Sequence, residues 1–218
     1  MTDRSIREVA DLNKLAFDKQ NGLLPVIAQD NMSGQVLMLA YANRVALEKT
    51  VLTGKLHLWS RSRDELWRKG DTSGNVLFLE ALHTDCDGDT ILARVSAKGP
   101  TCHTGERSCF GSETDLPFGT LARLDNTLAR RSSAGSNRSY TVQLLNDSNL
   151  RLKKLGEETA ELVAALATGH QERAVEEAAD LVYHLLVALR ADGSGLAALL
   201  NELGSRFKAK SRAESSSD

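Results

Sequence analysis

An excess of charge of either sign is missing from this 218-residue chain. Its 27 Lys and Arg stand against 29 Asp and Glu, a formal charge of −2. That balance gives no electrostatic case for nucleic acid or an acidic membrane surface as a partner. Long apolar runs are missing as well, and none approaches the ~18 residues that a membrane span needs. The opening stretch carries acids early and lacks a continuous apolar core, so it does not read as a secretion signal. It predicts an amphipathic lead-in helix instead, and the protein is expected in the cytoplasm. There are only three cysteines, Cys86, Cys102 and Cys109. An odd count in a reducing compartment argues against a disulfide framework and leaves buried thiols or a metal site. No internal repeat is present.

What is there divides into two halves. A length of 218 residues, 41% hydrophobic and 26% charged, suits two ordinary globular domains. The first part, to about residue 110, has short apolar runs at 23–27, 36–41, 56–59, 76–82 and 91–95, bounded by Gly, Asn, Asp or Ser. These predict strands. One helix interrupts them, capped by Asn43 and ended by Gly54, and Asp87-Gly88 marks a hairpin turn. From about residue 118 leucines recur at helical spacing in four stripes: Leu121, Leu124, Leu128; Leu152 to Leu166; Leu181 to Leu189; Leu196 to Leu203. Short breaks between long amphipathic helices predict an antiparallel bundle. The expected fold class is therefore α+β: a mostly-β domain over 1–114, then an all-α bundle over 115–218. Residues 111–117 are the expected linker, 132–139 a loop within the second half, and the tail from Ser211 is expected to be disordered.

All three cysteines fall in one short stretch with Asp85-Cys86-Asp87-Gly88-Asp89 and Cys102-His103. Three thiolates on one zinc leave a fourth position for His103, another histidine or water. Three protein ligands plus water is the arrangement of a catalytic zinc. The alternative is a set of free cysteines near a turn. Asp85, Asp87 and Asp89 alternate, which on an extended strand would place them on one face, away from Cys86. They read either as an oxygen site for Mg²⁺ or as a solvated hairpin turn. Trp59, Ser60, Arg61 and Arg63, followed by Lys69, Thr72 and Ser73, place cations and hydroxyls near strand ends, where a phosphate could be held. A polar hairpin would carry the same residues.

The second half pairs Glu158 with Glu161 on one helix and Glu177 with Asp180 on the next, each pair one turn apart and beside an apolar stripe. Acids against a packing seam are costly unless they hold a cation. Antiparallel packing would unite them as a Mg²⁺ site; otherwise they line wet helix faces. Lys154, one turn upstream, meets phosphate or solvent.

Together these motifs carry a resemblance. The runs 24–27, 59–63, 66–75, 85–89 and 99–110, with Trp59-Ser60-Arg61-Ser62-Arg63 and Gly99-Pro100-Thr101-Cys102-His103 among them, resemble phosphoribosyl-AMP cyclohydrolases. Ser139-Tyr140-Thr141, Gly156-Glu157-Glu158-Thr159-Ala160-Glu161 and the run from Glu177 to Leu186 resemble phosphoribosyl-ATP pyrophosphohydrolases, relatives of the all-helical NTP pyrophosphohydrolases. Their fusion in this order is similar to the bifunctional enzymes of histidine biosynthesis.

The resemblance implies that the helical domain removes pyrophosphate from phosphoribosyl-ATP. The β domain would then open the adenine ring of phosphoribosyl-AMP. It implies Zn²⁺ on Cys86, Cys102 and Cys109, with Cys86 given across a homodimer interface. It also implies Mg²⁺ on Asp85, Asp87 and Asp89, and on Glu158, Glu161, Glu177 and Asp180. His103 is the candidate for proton transfer. Trp59, Ser60, Arg61, Arg63, Lys69, Thr72, Ser73 and Lys154 are the candidate substrate contacts. The rival reading is a zinc-stabilised binding module fused to a general NTP pyrophosphohydrolase or a helical dimerisation domain.

Overall fold

The computed structural model describes residues 3–111, 119–133 and 139–215. The chain separates into two compact units, Met1–Gly119 and Thr120–Asp218. The expected linker, apart from Gly111, and the expected boundary after residue 114 lie outside the described residues.

Seven strands form the first unit's sheet: β1 (Ser5–Ile6), β2 (Leu24–Asp30), β3 (Val36–Ala42), β4 (His57–Ser60), β5 (Glu65–Arg68), β6 (Leu77–Thr84) and β7 (Ile91–Ala97). Their order is β1-β6-β7-β2-β3-β4-β5. Every neighbouring pair is antiparallel except β2 and β7, which run parallel with Val26 opposite Ile91. The strand period of two buries one face. Leu24, Val26 and Ala28 of β2 and Ile91, Ala93 and Val95 of β7 enter a core that Ala46 and Leu47 of helix α1 (Arg44–Thr53) complete. The Asn43 side chain accepts the Ala46 N–H at 2.9 Å, a cap worth about 1 kcal/mol. Gly54 closes the helix at φ 64°.

The expected strands and helix are all present, but the lead-in is not an α-helix. Ile6 pairs with Leu82 in the sheet, and two 3₁₀ segments follow, Val9–Lys14 and Phe17–Gln20. Edge pairing and the burial of Leu12 in the core override the helical pattern there. The charged β5 was not expected; it pairs with β4 through Trp59 opposite Leu66.

The second unit contains α2 (Gly119–Ser133), α3 (Tyr140–Asn146), α4 (Ser148–Ala167), α5 (Gln171–Ala191) and α6 (Leu196–Ser215). The four leucine stripes lie on α2, α4, α5 and α6. The unexpected α3 starts at Ser139, whose hydroxyl accepts the Val142 N–H, and buries Val142 and Leu144. The expected loop at 132–139 is narrower, since Ser132 and Ser133 belong to α2 and Ser139 caps α3; residues 134–138 lie outside the described residues. Nor is the chain from Ser211 irregular at its start, because α6 continues to Ser215. Its Ala, Lys, Arg and Glu content favours helix.

Candidate active sites and metal centres

In the first unit a tight loop after β7 presents two cysteines. The Cys102 N–H donates to the Glu106 carbonyl at 2.9 Å, and the Gly105 N–H to the Cys102 carbonyl at 3.2 Å. Three contacts pin this loop to the β2–β3 end of the sheet. The Cys109 N–H donates to the Leu37 carbonyl at 2.8 Å, and the Ser108 hydroxyl to the Val36 carbonyl at 2.8 Å. The Arg107 guanidinium meets buried Asp30 at 2.8 Å. The Cys102 and Cys109 thiols are near enough to perturb each other's pKa, Cys109 lowering that of Cys102 and Cys102 raising that of Cys109. A hydrogen bond from Thr104 lowers the Cys102 pKa, whereas burial raises that of Cys109. One thiol eased towards thiolate beside another suits a soft metal ion such as zinc. The His103 Nδ1 stands 3.8 Å from the Cys102 sulfur.

This loop forms one wall of a cleft of about 610 Å³. The other wall is β5 and the turn after it. Of the expected phosphate contacts, Arg63, Lys69, Thr72 and Ser73 line the cleft together with Cys102 and His103. Trp59, Ser60 and Arg61 are not among its lining residues. Trp59 sits in the β4 ladder opposite Tyr41 and Leu66, and Ser60 accepts from the Arg63 backbone N–H at 3.3 Å. Arg61 stacks 3.7 Å from the centre of the Tyr41 ring. Asn75 and Arg68 also line the cleft, Arg68 held by Asp71 at 2.6 Å. The turn depends on Gly70, at φ +97°, where a Cβ would lie 2.5 Å from the Val76 nitrogen.

Asp85, Asp87 and Asp89 each place a carboxylate oxygen within 4.8 Å of the others. The expected clustering is present, but its expected cause is not. These residues lie in the turn between β6 and β7, beyond the last strand pair Thr84–Ile91, so the bend rather than strand alternation gathers them. The Asp85 carboxylate accepts the N–H groups of Asp89 at 3.0 Å and Thr90 at 3.2 Å. Gly88, at φ +78°, lets the turn press on the lead-in segment; its carbonyl accepts the Ala16 N–H at 2.8 Å. The Lys19 ammonium reaches Asp87 at 3.0 Å and Asp89 at 3.6 Å, and that cation pulls the Asp87 pKa down. Cys86 is exposed on this turn. Among the described residues no group of three potential ligand atoms within 4.8 Å of one another includes a cysteine, so one chain does not bring Cys86 to both other thiols.

In the second unit the α4–α5 hairpin unites Glu158 and Glu161 with Glu177; their carboxylate oxygens also lie within 4.8 Å of one another. Glu158 and Glu177 are buried and Glu161 is exposed. Asp180, one turn further along α5, is exposed and outside this group. Burial pushes the Glu177 pKa up, against the pull of Arg173. Lys154 lies 3.0 Å from Glu157 and 3.7 Å from Glu158. His184, whose Nε2 is 3.7 Å from Glu158, is buried between the edges of Tyr140 and Tyr183, and burial lowers its pKa. The Thr141 hydroxyl links Arg131 at 2.7 Å to the Tyr183 hydroxyl at 2.9 Å. Sequence spacing did not single out Arg173 or the His184 contact, because both depend on which residues face each other across the hairpin.

The two halves match two families. Residues 38–111 match phosphoribosyl-AMP cyclohydrolase, and residues 121–207 match phosphoribosyl-ATP pyrophosphohydrolase. Among curated relatives, the histidine biosynthesis bifunctional protein HisIE of Photobacterium profundum is 42% identical, covering 87% of this chain and 95% of its own. The protein of that name from Synechocystis is 43% identical, covering 94% and 98%. The Bacteroides thetaiotaomicron protein is 41% identical, covering 88% and 96%. On both halves and along nearly its whole length, the chain belongs to the HisIE family of bifunctional histidine-biosynthesis hydrolases, with its phosphoribosyl-AMP cyclohydrolase domain first and its phosphoribosyl-ATP pyrophosphohydrolase domain second.

Proposed function

We propose that the cleft beside Cys102 and His103 holds phosphoribosyl-AMP during ring opening, and that the Glu158, Glu161 and Glu177 cluster serves pyrophosphate release from phosphoribosyl-ATP. One observation carries the first assignment: Arg63, Lys69, Thr72 and Ser73 share a single cleft with the cysteine loop. The Lys69 ammonium and the two hydroxyls hold the substrate phosphate, which directs the base towards Cys102. His103, exposed beside the thiol, carries a proton between solvent and the ring nitrogen that leaves the opened bond. In the helical unit Lys154 meets the outer phosphates, and the Tyr140 and Tyr183 rings, set nearly perpendicular to the His184 ring, keep that histidine beside Glu158.

Cys102 and Cys109, with Cys86 of the partner subunit, would hold zinc. Asp85, Asp87 and Asp89 would hold one magnesium, and Glu158, Glu161 and Glu177 another, with Asp180 within one turn. Bound zinc supplies a water acidic enough to ionise near pH 7, and bound magnesium neutralises phosphate charge. The separation of Cys86 from the other thiols supports a homodimer. Leu152, Leu166 and Val175, 61%, 64% and 66% exposed, support burial of a second helical face in the same assembly. Balanced charge and the lack of any described helix long and apolar enough to cross a membrane support work in the cytoplasm.

The test supplies phosphoribosyl-ATP with Zn²⁺ and Mg²⁺ and follows pyrophosphate and ring-opened product separately. Cys102→Ser is expected to abolish ring opening and leave pyrophosphate release intact. Glu161→Gln is expected to lower pyrophosphate release by about 10²-fold while added phosphoribosyl-AMP is still opened. Loss of both activities in either folded variant would refute the assignment of one reaction to each unit.

A further inference from the structure

The carboxylates of the α4–α5 hairpin already have a cation, and it comes from the chain. Arg173, in the first turn of α5, pairs with Glu177, with Glu161 across the hairpin at 3.2 Å and with Glu176 at 3.4 Å. Two of these, Glu161 and Glu177, belong to the cluster whose oxygens lie within 4.8 Å of one another. Glu177 is 2% exposed, so its charge has little water to stabilise it and depends on a partner. The Arg173 side chain is itself 58% exposed, so it can leave towards solvent without disturbing the helix packing. Lys154 is placed differently: its shortest contact is with Glu157, which lies outside the cluster.

We propose that Arg173 is a tethered competitor of the divalent cation at this cluster, setting how much metal the pyrophosphohydrolase unit needs. The inference rests on the reading of the cluster as that unit's metal site. The reason is geometric and electrostatic. A divalent ion needs the oxygens of Glu161 and Glu177 that the guanidinium holds, and two cations repel at such separations. Metal entry therefore includes the departure of Arg173. Without metal, the guanidinium keeps three close carboxylates from repelling one another. A residue that served only to brace the hairpin would have the second effect and not the first.

The test titrates Mn²⁺ into the full chain by calorimetry, with Glu161→Gln added to each protein as its blank. That blank removes the contribution of the first unit's sites. Arg173→Gln is expected to tighten the Glu161-dependent site by about tenfold and to lower the melting temperature in chelator. Arg173→Lys, which keeps the charge but not the guanidinium fork, is expected to fall between the parent and Arg173→Gln on both measures. Unchanged or weaker Mn²⁺ affinity in Arg173→Gln, with a lowered melting temperature, would overturn the proposal and leave Arg173 a brace. If no protein shows a Glu161-dependent isotherm, the metal-site reading falls and takes the proposal with it.

Discussion

Replacing Gly70 with alanine tests whether the turn after β5 sets the cleft proposed for ring opening. At φ +97° the backbone is outside the basins open to L-residues, which costs about 1–3 kcal/mol for a side chain. The added Cβ would also lie 2.5 Å from the Val76 nitrogen and 2.6 Å from the Asn75 carbonyl carbon. Both are backbone atoms, so no side chain can rotate away. Restoring ordinary contact near 3.5 Å requires the turn to shift by about 1 Å. Lys69, Thr72 and Ser73 share this turn and would move relative to Cys102 and His103. A misplacement of about 1 Å costs on the order of 10²-fold in rate. The expectation is ring opening reduced about 10²-fold and pyrophosphate release unchanged, with the first unit melting roughly 8–16 °C lower for a loss of about 2–4 kcal/mol. Gly54→Ala is the control, because Gly54 has φ +64° but nothing within 4 Å of its Cβ position. It should cost about 1–2 kcal/mol and keep its ring-opening rate. The assay follows ring-opened product by absorbance, pyrophosphate by a coupled reaction, and unfolding by calorimetry. Ring opening within twofold of the parent in Gly70→Ala would refute the reasoning.

Removing Arg107 should unfasten the cysteine loop from Asp30. Arg107→Ala is expected to cost roughly 1–3 kcal/mol and to weaken zinc retention, measured by melting and by metal content after dialysis; full retention would refute it. His184 is buried with its pKa held below the ordinary value of 6.5. Protons therefore favour the unfolded helical unit, so stability is fully present above pH 6.5 and falls as pH drops below it. Denaturant melts between pH 7.5 and 5.5 should show the decline, and His184→Asn should flatten it. If Cys86 serves a partner's thiols, light scattering at assay concentration should show a dimer, and an active monomer would exclude that arrangement.

Local pattern was enough to place most elements. Period-two burial in β2 and β7, the Asn43 cap and Gly54 stop of α1, and leucines at helical spacing in the second unit are properties of neighbouring residues. Motif chemistry likewise points to Cys102, His103, Lys69, Thr72 and Ser73, all of which line one cleft. Contacts between distant segments were another matter. Ile6 joins the sheet because Leu82 lies beside it, which no local helical pattern reveals. The Asp85, Asp87 and Asp89 carboxylates meet through a turn whose shape depends on Gly88 against the lead-in segment. Trp59, Ser60 and Arg61 share a motif with Arg63, yet only Arg63 lines the cleft, since the chain turns between them. Arg173 stands four residues before Glu177 on one helix, a spacing that is routine for surface ion pairs. Only the packing of α5 on α4 brings it to Glu161 and makes it the cation of a carboxylate cluster. Sequence spacing fixes which residues share a helix face or a strand face; which faces meet is decided by burial of the whole core, and the candidate sites are assembled by such long-range contacts.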